Sequence, residues 1–157
     1  MGNIAYNSFP KNMSDEAFSE SLREICRERF GDLVKVTESF HNGELCSWTV
    51  GPDETLIGEK CWSYEWEVYR ESKRKFGGKH PHSDWGSWLM TVVQNELAHR
   101  FNGRISDEGV DGTWKGNPSK YRTFLEYMKS MNRFLFQKYE DQFWQIYEYT
   151  PEILRNL

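Results

Sequence analysis

The chain has 157 residues, of which 28% are charged and 38% hydrophobic, and its formal net charge is -4 at pH 7. This size and composition are typical of a single globular domain over residues 1–157, and they exclude an intrinsically disordered chain. The mild acidity argues against a surface built throughout for nucleic acid.

The sequence gives no sign of export or of membrane insertion. No segment approaches the roughly 18 consecutive apolar residues that a membrane-spanning helix needs, and the first residues lack the basic and apolar regions of a signal peptide. Three widely spaced cysteines, Cys26, Cys46 and Cys61, fit neither a disulfide framework nor a zinc motif. We therefore expect a cytoplasmic protein without a membrane partner, and the sequence identifies no cofactor.

The first predicted element is a helix between Ser14 and Gly31. Ser14 is of the residue type that caps a helix N-terminus, and the next two residues are acidic, as the helix dipole favours. Apolar residues then recur at helical spacing, and Gly31 is a natural stop. The apolar stripe consists of Phe18, Leu22, Ile25, Cys26 and Phe30.

Three antiparallel strands are predicted next. LVKVTESF (33–40) and LCSWTVG (45–51) flank Asn42-Gly43, which supplies the positive φ angles of a two-residue type I′ turn. A third strand is predicted over KCWSYEWEVY (60–69), where apolar and polar residues alternate. The same stretch also fits a helix, and that alternative stays open. The side chains that would share one strand face are Trp62, Tyr64, Trp66 and Val68.

A second helix is predicted over residues 84–101. Asp84 is the expected N-cap, a wide apolar stripe follows, and Gly103 stands just beyond the end. The stripe consists of Trp85, Trp88, Leu89, Val92, Leu97 and Phe101.

The C-terminal part, 118–149, is also predicted to be helical. Asn117 is the expected cap, and Pro118 stands at the first helical position, where its missing N–H costs nothing. The segment forms either one long helix or two with a break near Asp141. A short closing turn follows, for which Thr150 is the expected cap.

This order of elements predicts an α+β fold. We expect an N-terminal helix, a three-stranded antiparallel meander, and two to four C-terminal helices packed on one sheet face. The alternating strands predict one packed and one solvated face of the sheet.

The stretch FNGRISDEGVDGTWKGNP (101–118) has neither helical nor strand periodicity, so a long loop is predicted over 103–116. Loops of this length are uncommon in compact domains and are often functional. Its carboxylates are the ligands that hard cations prefer, its arginine can hold an anion, and its tryptophan can stack on a ring. The alternative is a compact loop with its acids in solvent. The predicted ligand-binding residues are Arg104, Asp107, Glu108, Asp111 and Trp114.

A metal site is the hypothesis for GGKHPHSDW (77–85). His80 and His82 form a His-x-His pair, and Asp84 follows; this combination can bind zinc or iron. The alternative is a turn at Pro81, with Asp84 used only as a helix cap.

Two further groups of charges stand on the predicted third strand and after it. Glu65 and Glu67 share a strand face, where paired carboxylates can do acid–base work or simply form a solvated surface. The basic cluster at 70–79 can grip phosphates, although such a cluster is also typical of a solvated strand end. Its members are Arg70, Lys73, Arg74, Lys75 and Lys79.

These patterns lead to one favoured function and two alternatives. We expect a non-enzymatic accessory module that binds a protein or small-molecule ligand through the 103–116 loop. A small metal-assisted hydrolase is the first alternative. A nucleic-acid-binding protein that uses the 70–79 cluster is the second and is less favoured.

Overall fold

The computed structural model describes residues 3–157, and its strands form one antiparallel sheet. The strands are β1 (Ile4–Ser8), β2 (Val34–His41), β3 (Glu44–Pro52), β4 (Trp66–Ser72), β5 (Lys75–Lys79), β6 (Arg104–Asp107) and β7 (Val110–Lys115). They lie in the order β2-β3-β4-β5-β1-β6-β7. β2 and β7 are therefore the two edge strands.

Residues 3–157 also form seven α-helices. They are α1 (Asp15–Phe30), α2 (Glu54–Ile57), α3 (Asp84–Arg100), α4 (Phe124–Met131), α5 (Arg133–Lys138), α6 (Glu140–Tyr147) and α7 (Glu152–Arg155). The α+β class is confirmed. Across 3–157, no helix combines the length and the apolar character needed to cross a bilayer.

The sheet is larger than the predicted three-stranded meander. β2 to β5 form a four-stranded meander, and β1 and the β6–β7 hairpin extend it to seven strands. The sequence hid β1 because its buried face carries only Ala5 and the polar Asn7. The Asn7 side chain donates to the carbonyl of Gln94 at 3.1 Å, which satisfies its amide inside the core.

The stretch 60–69 is neither one long strand nor a helix. Residues Trp62–Tyr64 form a 3-10 turn, and the strand begins only at Trp66. The turn breaks the alternation, so Trp62 is 66% exposed whereas Trp66 is fully buried.

The N-terminal helix and the first hairpin are as predicted. The Ser14 hydroxyl accepts from the N–H of Ala17 at 3.1 Å, and the helix ends at Gly31, whose φ of 62° favours glycine. Asn42 and Gly43 have φ angles of 52° and 80°, as a type I′ turn requires.

The core lies between one face of the sheet and helices α1 and α3. Trp48, Val50, Trp66, Val68 and Phe76 point to this face and are at most 1% exposed. Burying each such side chain contributes about 1.5–3 kcal/mol. The stability of the fold is therefore concentrated on this covered face.

Helix α3 is buried on almost every side, and its cap differs from the prediction. Ser83, not Asp84, is the N-cap: its hydroxyl accepts from the N–H of Gly86 at 3.0 Å. Asp84 is the first helical residue, where its charge still suits the helix dipole. The indole N–H of Trp85 donates to the carbonyl of Leu154 at 3.1 Å, which ties the C-terminal helices to α3.

The C-terminal part does not begin its helix at Asn117-Pro118, whereas the predicted break near Asp141 is found two residues earlier, at Tyr139. Asn117 instead accepts from Ser119 within a turn, and α4 begins after Thr123, which forms a capping box with Glu126. The helices break at Asn132 and Tyr139. Thr150 is buried and does not cap α7, which follows Pro151 without a side-chain cap.

Candidate functional site

The face of the sheet opposite α1 and α3 carries a different set of side chains. Because side chains alternate along a strand, the residues next to the buried ones point away from the core. We call this surface the open face; at its centre lie Tyr6, Glu67, Tyr69, Lys75, Gly77 and Lys79. None of these belongs to the hydrophobic core, and apart from Gly77 all are exposed or half-buried.

Two tyrosines meet over a glycine in the middle of the open face. The register pairs Gly77 with Tyr6 of β1 on one side and with Tyr69 of β4 on the other. A Cβ atom at Gly77 would lie 2.9 Å from Cε1 of Tyr6 and 2.9 Å from the hydroxyl of Tyr69. Only a glycine leaves room for both rings, which form one aromatic platform.

Charged groups surround this platform. The ammonium group of Lys75 lies 4.2 Å from the centre of the Tyr6 ring. The Tyr6 hydroxyl donates to Glu108 at 3.1 Å. Burial, this hydrogen bond and the charge of Glu71 together raise the pKa of Tyr6 well above its usual value. The Tyr6 hydroxyl is therefore a protonated donor throughout the physiological pH range.

The predicted loop at 103–116 is a β-hairpin, so that prediction is wrong. β6 and β7 pair with each other, and β6 also pairs with β1, which makes the hairpin one edge of the sheet. The hairpin is hard to see in the sequence because every residue of β7 is exposed and no apolar alternation marks it.

The hairpin distributes the five predicted ligand-binding residues over several places. The Arg104 guanidinium donates to the carbonyl of Thr113 at 2.9 Å, and Glu108 accepts from the backbone N–H of Ile4 at 3.3 Å as well as from Tyr6. Asp111 and Trp114 are exposed on the edge strand, and Trp114 has 38% of its surface accessible. Glu108 and Arg104 thus lie on the open face, and the five residues do not converge on one point.

The predicted metal site and the predicted ligand-binding loop contact each other in the structure. Nε2 of His80 lies 2.6 Å from a carboxylate oxygen of Asp107, so the turn before α3 contacts the turn of the hairpin. His82 lies edge-on to Trp62, with 6.2 Å between the ring centres, and Asp84 starts α3. Over 3–157, no three His, Cys, Asp or Glu side chains gather as metal ligands would.

Two cavities flank the turn at Pro81 and His82. One, of about 240 Å³, opens at the end of the open face and is lined by Thr49, Trp62, Glu65, Glu67, Lys79, His80, Pro81 and His82. The other, of about 550 Å³, lies toward the C-terminal helices, with Tyr64, Asp84, Ile146 and Tyr149 among its lining residues. Each predicted metal-ligand residue therefore borders at least one cavity.

The basic cluster at 70–79 is divided between the two faces of the sheet. Arg70 points to the covered face, where it donates to the carbonyl of Met13 and to Asp15, both at 2.6 Å. Lys75 and Lys79 point to the open face. The cluster therefore does not present one continuous basic surface.

Glu67, Lys75 and Lys79 belong to groups that the sequence singles out, but the sequence does not predict Tyr6, Tyr69 and Gly77 as part of a site. Tyr6 lies on β1, a strand that the sequence does not predict, and Tyr69 is the last residue of the predicted third strand. The available signal was the pair Gly77-Gly78 inside a strand, since glycine within a strand often marks a close approach of other groups.

No protein-family model matches the chain, and no curated protein or solved structure matches it.

Proposed function

We propose that the protein is a non-enzymatic module that binds a protein partner on its open face. The observation that carries this proposal is the Tyr6–Tyr69 platform over Gly77, on a sheet face that neither α1 nor α3 covers. Tyrosines are enriched among the residues that contribute most to protein interfaces.

The dimensions of the open face suit a protein better than a small molecule. Seven strands about 4.8 Å apart make a surface roughly 29 Å wide. A typical protein interface buries about 800 Å² on each partner. The aromatic platform lies near the middle of this surface with charged groups around it, which is the arrangement of an interface with an apolar centre and a polar rim.

The hairpin at 104–115 contributes one side of the proposed surface. Glu108 is held against Tyr6, and Arg104 lies on the same face at the start of β6. A partner that covers the tyrosines would also contact these two charges. The proposed cytoplasmic location rests on the three cysteines, which are all unpaired and fit a reducing compartment.

Site-specific photo-crosslinking in the cells that produce the protein tests this proposal. A photoreactive phenylalanine analogue replaces Glu71, which is exposed on the open face, or Phe134, which is 65% exposed on α5. We expect a discrete adduct from position 71 and none of the same size from position 134.

The matched control is the same experiment with Tyr6→Ser and Tyr69→Ser combined. Both side chains lie outside the core, so the variant should fold, which circular dichroism verifies. The adduct from position 71 should disappear. An adduct that survives this double substitution, or that forms equally from position 134, would contradict the proposal.

The two alternative functions make different predictions for the purified protein. A metal-assisted hydrolase should be stabilised by zinc, and His80→Ala should abolish that shift in melting temperature. A nucleic-acid-binding protein should bind oligonucleotides with an affinity that falls steeply with salt.

A further inference from the structure

The smaller cavity lies where the open face meets the 3-10 turn at Trp62–Tyr64. Its volume of about 240 Å³ suits a single side chain rather than a nucleotide or a peptide. The Trp62 ring is 66% exposed at the rim, which is unusual for a large aromatic side chain. The cavity therefore offers a ready aromatic surface to an incoming group.

Two carboxylates line the cavity and are held there by the fold. A Cβ atom at Gly51 would lie 2.6 Å from Cγ of Glu65, so the Glu65 side chain crosses β3 over a glycine. Glu67 points to the open face from β4. Within residues 3–157, no lysine or arginine nitrogen lies within 4 Å of either carboxylate.

The remaining groups leave the cavity with an excess of negative charge. Val68 pairs with Gly78, so Lys79 lies beside Glu67 where the register continues, and one ammonium group stands against two carboxylates. The other ionisable groups are His80, which faces Asp107 at 2.6 Å, and His82, which lies beside the Trp62 ring. An anionic ligand would be repelled, and a cationic group would be attracted.

We propose that this cavity binds an arginine side chain of the protein partner. A guanidinium group is planar and stacks on an indole ring, and its fork of N–H donors matches carboxylate oxygens. Trp62 supplies the ring, and Glu65 and Glu67 supply the acceptors. This inference rests on the proposed function in one respect only, which is that the arginine belongs to a protein.

A titration with short peptides tests the cavity without the partner. The probes are the capped tripeptides Gly-Arg-Gly, Gly-Lys-Gly and Gly-Glu-Gly, and the readout is the indole N–H signal of Trp62 in an NMR spectrum, assigned with Trp62→Phe. We expect a saturable shift with the arginine peptide, a weaker response to the lysine peptide and none to the glutamate peptide.

Paired variants connect the response to the carboxylates. Glu65→Gln combined with Glu67→Gln should weaken binding of the arginine peptide by about tenfold, since each exposed ion pair contributes modestly. Glu20→Gln removes an exposed carboxylate of α1 that lies outside both the cavity and the open face, and it should leave binding unchanged.

Three results would overturn the inference: no shift of the Trp62 signal with the arginine peptide, an equal shift with the glutamate or lysine peptide, or undiminished binding by the double glutamine variant. The outcome is separate from that of the crosslinking experiment. Arginine binding without a crosslinked adduct would support the cavity assignment and count against a protein partner. A crosslinked adduct without arginine binding would support a protein partner and count against the cavity assignment.

Discussion

The two faces of the sheet are built from the same strands but by different chemistry. On the covered face, Trp48, Trp66 and Phe76 pack against α1 and α3 and are at most 1% exposed. On the open face, Tyr6 and Tyr69 lie among charged groups and do not belong to the core. The covered face therefore holds the fold together, and the open face is available for recognition.

Neighbouring glycines in β5 show this difference at the scale of one residue. A Cβ atom at Gly78 would lie 2.1 Å from Nε1 of the fully buried Trp66, which has nowhere to move. At Gly77 the obstructing atoms belong to the half-buried rings of Tyr6 and Tyr69, which can turn toward solvent. Gly78 is required by the packing of the core, and Gly77 is required by the shape of the open face.

The largest contrast is expected between two tryptophans only four positions apart. Trp66→Ala should lower the free energy of unfolding by about 3–5 kcal/mol, because it empties a closed part of the core. Trp62→Ala should change it by no more than about 0.5 kcal/mol, because the ring is mostly exposed. Urea denaturation followed by circular dichroism measures both. Similar losses for the two variants would mean that residues outside the covered face also carry the fold.

Substitution of Gly77 and Gly78 by alanine should give a smaller difference in stability, and the less destabilising of the two should be the one that affects binding. Gly78→Ala should destabilise by about 1–3 kcal/mol through overpacking against Trp66. Gly77→Ala should cost less than about 1 kcal/mol, because the tyrosine rings can move aside. Gly77→Ala should also abolish the crosslinked adduct from position 71, since the two tyrosine rings can no longer lie together over residue 77. A Gly77→Ala protein that keeps the adduct would show that the partner does not need the platform.

Elements fixed by local chemistry could be predicted from the sequence. Ser14 and Gly31 bound a helix through hydrogen bonds and backbone angles within a few residues, and Asn42-Gly43 determines its turn by the positive φ angles it tolerates. The start of α4 could also have been found, because Thr123 and Glu126 form the capping-box pattern.

Elements fixed by distant contacts could not be predicted in this way. β5 contains Gly77 and Gly78, which weaken the signal of a strand and make sense only once the rings above and below them are known. β1 places the polar Asn7 in the core, where its partner is the carbonyl of Gln94, far along the chain. The open face depends on both strands, so the sequence alone does not bring its side chains together.

The last effect appears mainly at alkaline pH and concerns Tyr127, a buried tyrosine of α4. Burial raises the pKa of Tyr127 to about 12, with a further contribution from the charge of Asp84. A folded-state pKa above the usual value of about 10 stabilises the protein below pH 10, and this contribution is lost as the pH rises toward 12. Tyr127→Phe should therefore reduce the loss of stability between pH 10 and 12, and it should cost less than about 1 kcal/mol at pH 7.

Melting temperatures of the wild type and Tyr127→Phe across pH 8–12 measure this difference. Tyr149→Phe is the matched control: its side chain is 87% exposed, and its removal should leave the alkaline loss unchanged. Part of the loss should remain in Tyr127→Phe, because burial also raises the pKa of the Cys26 thiol to about 12. If Tyr149→Phe protected the protein as much as Tyr127→Phe, the alkaline transition would arise from exposed phenols, and burial on the covered side would not be its cause.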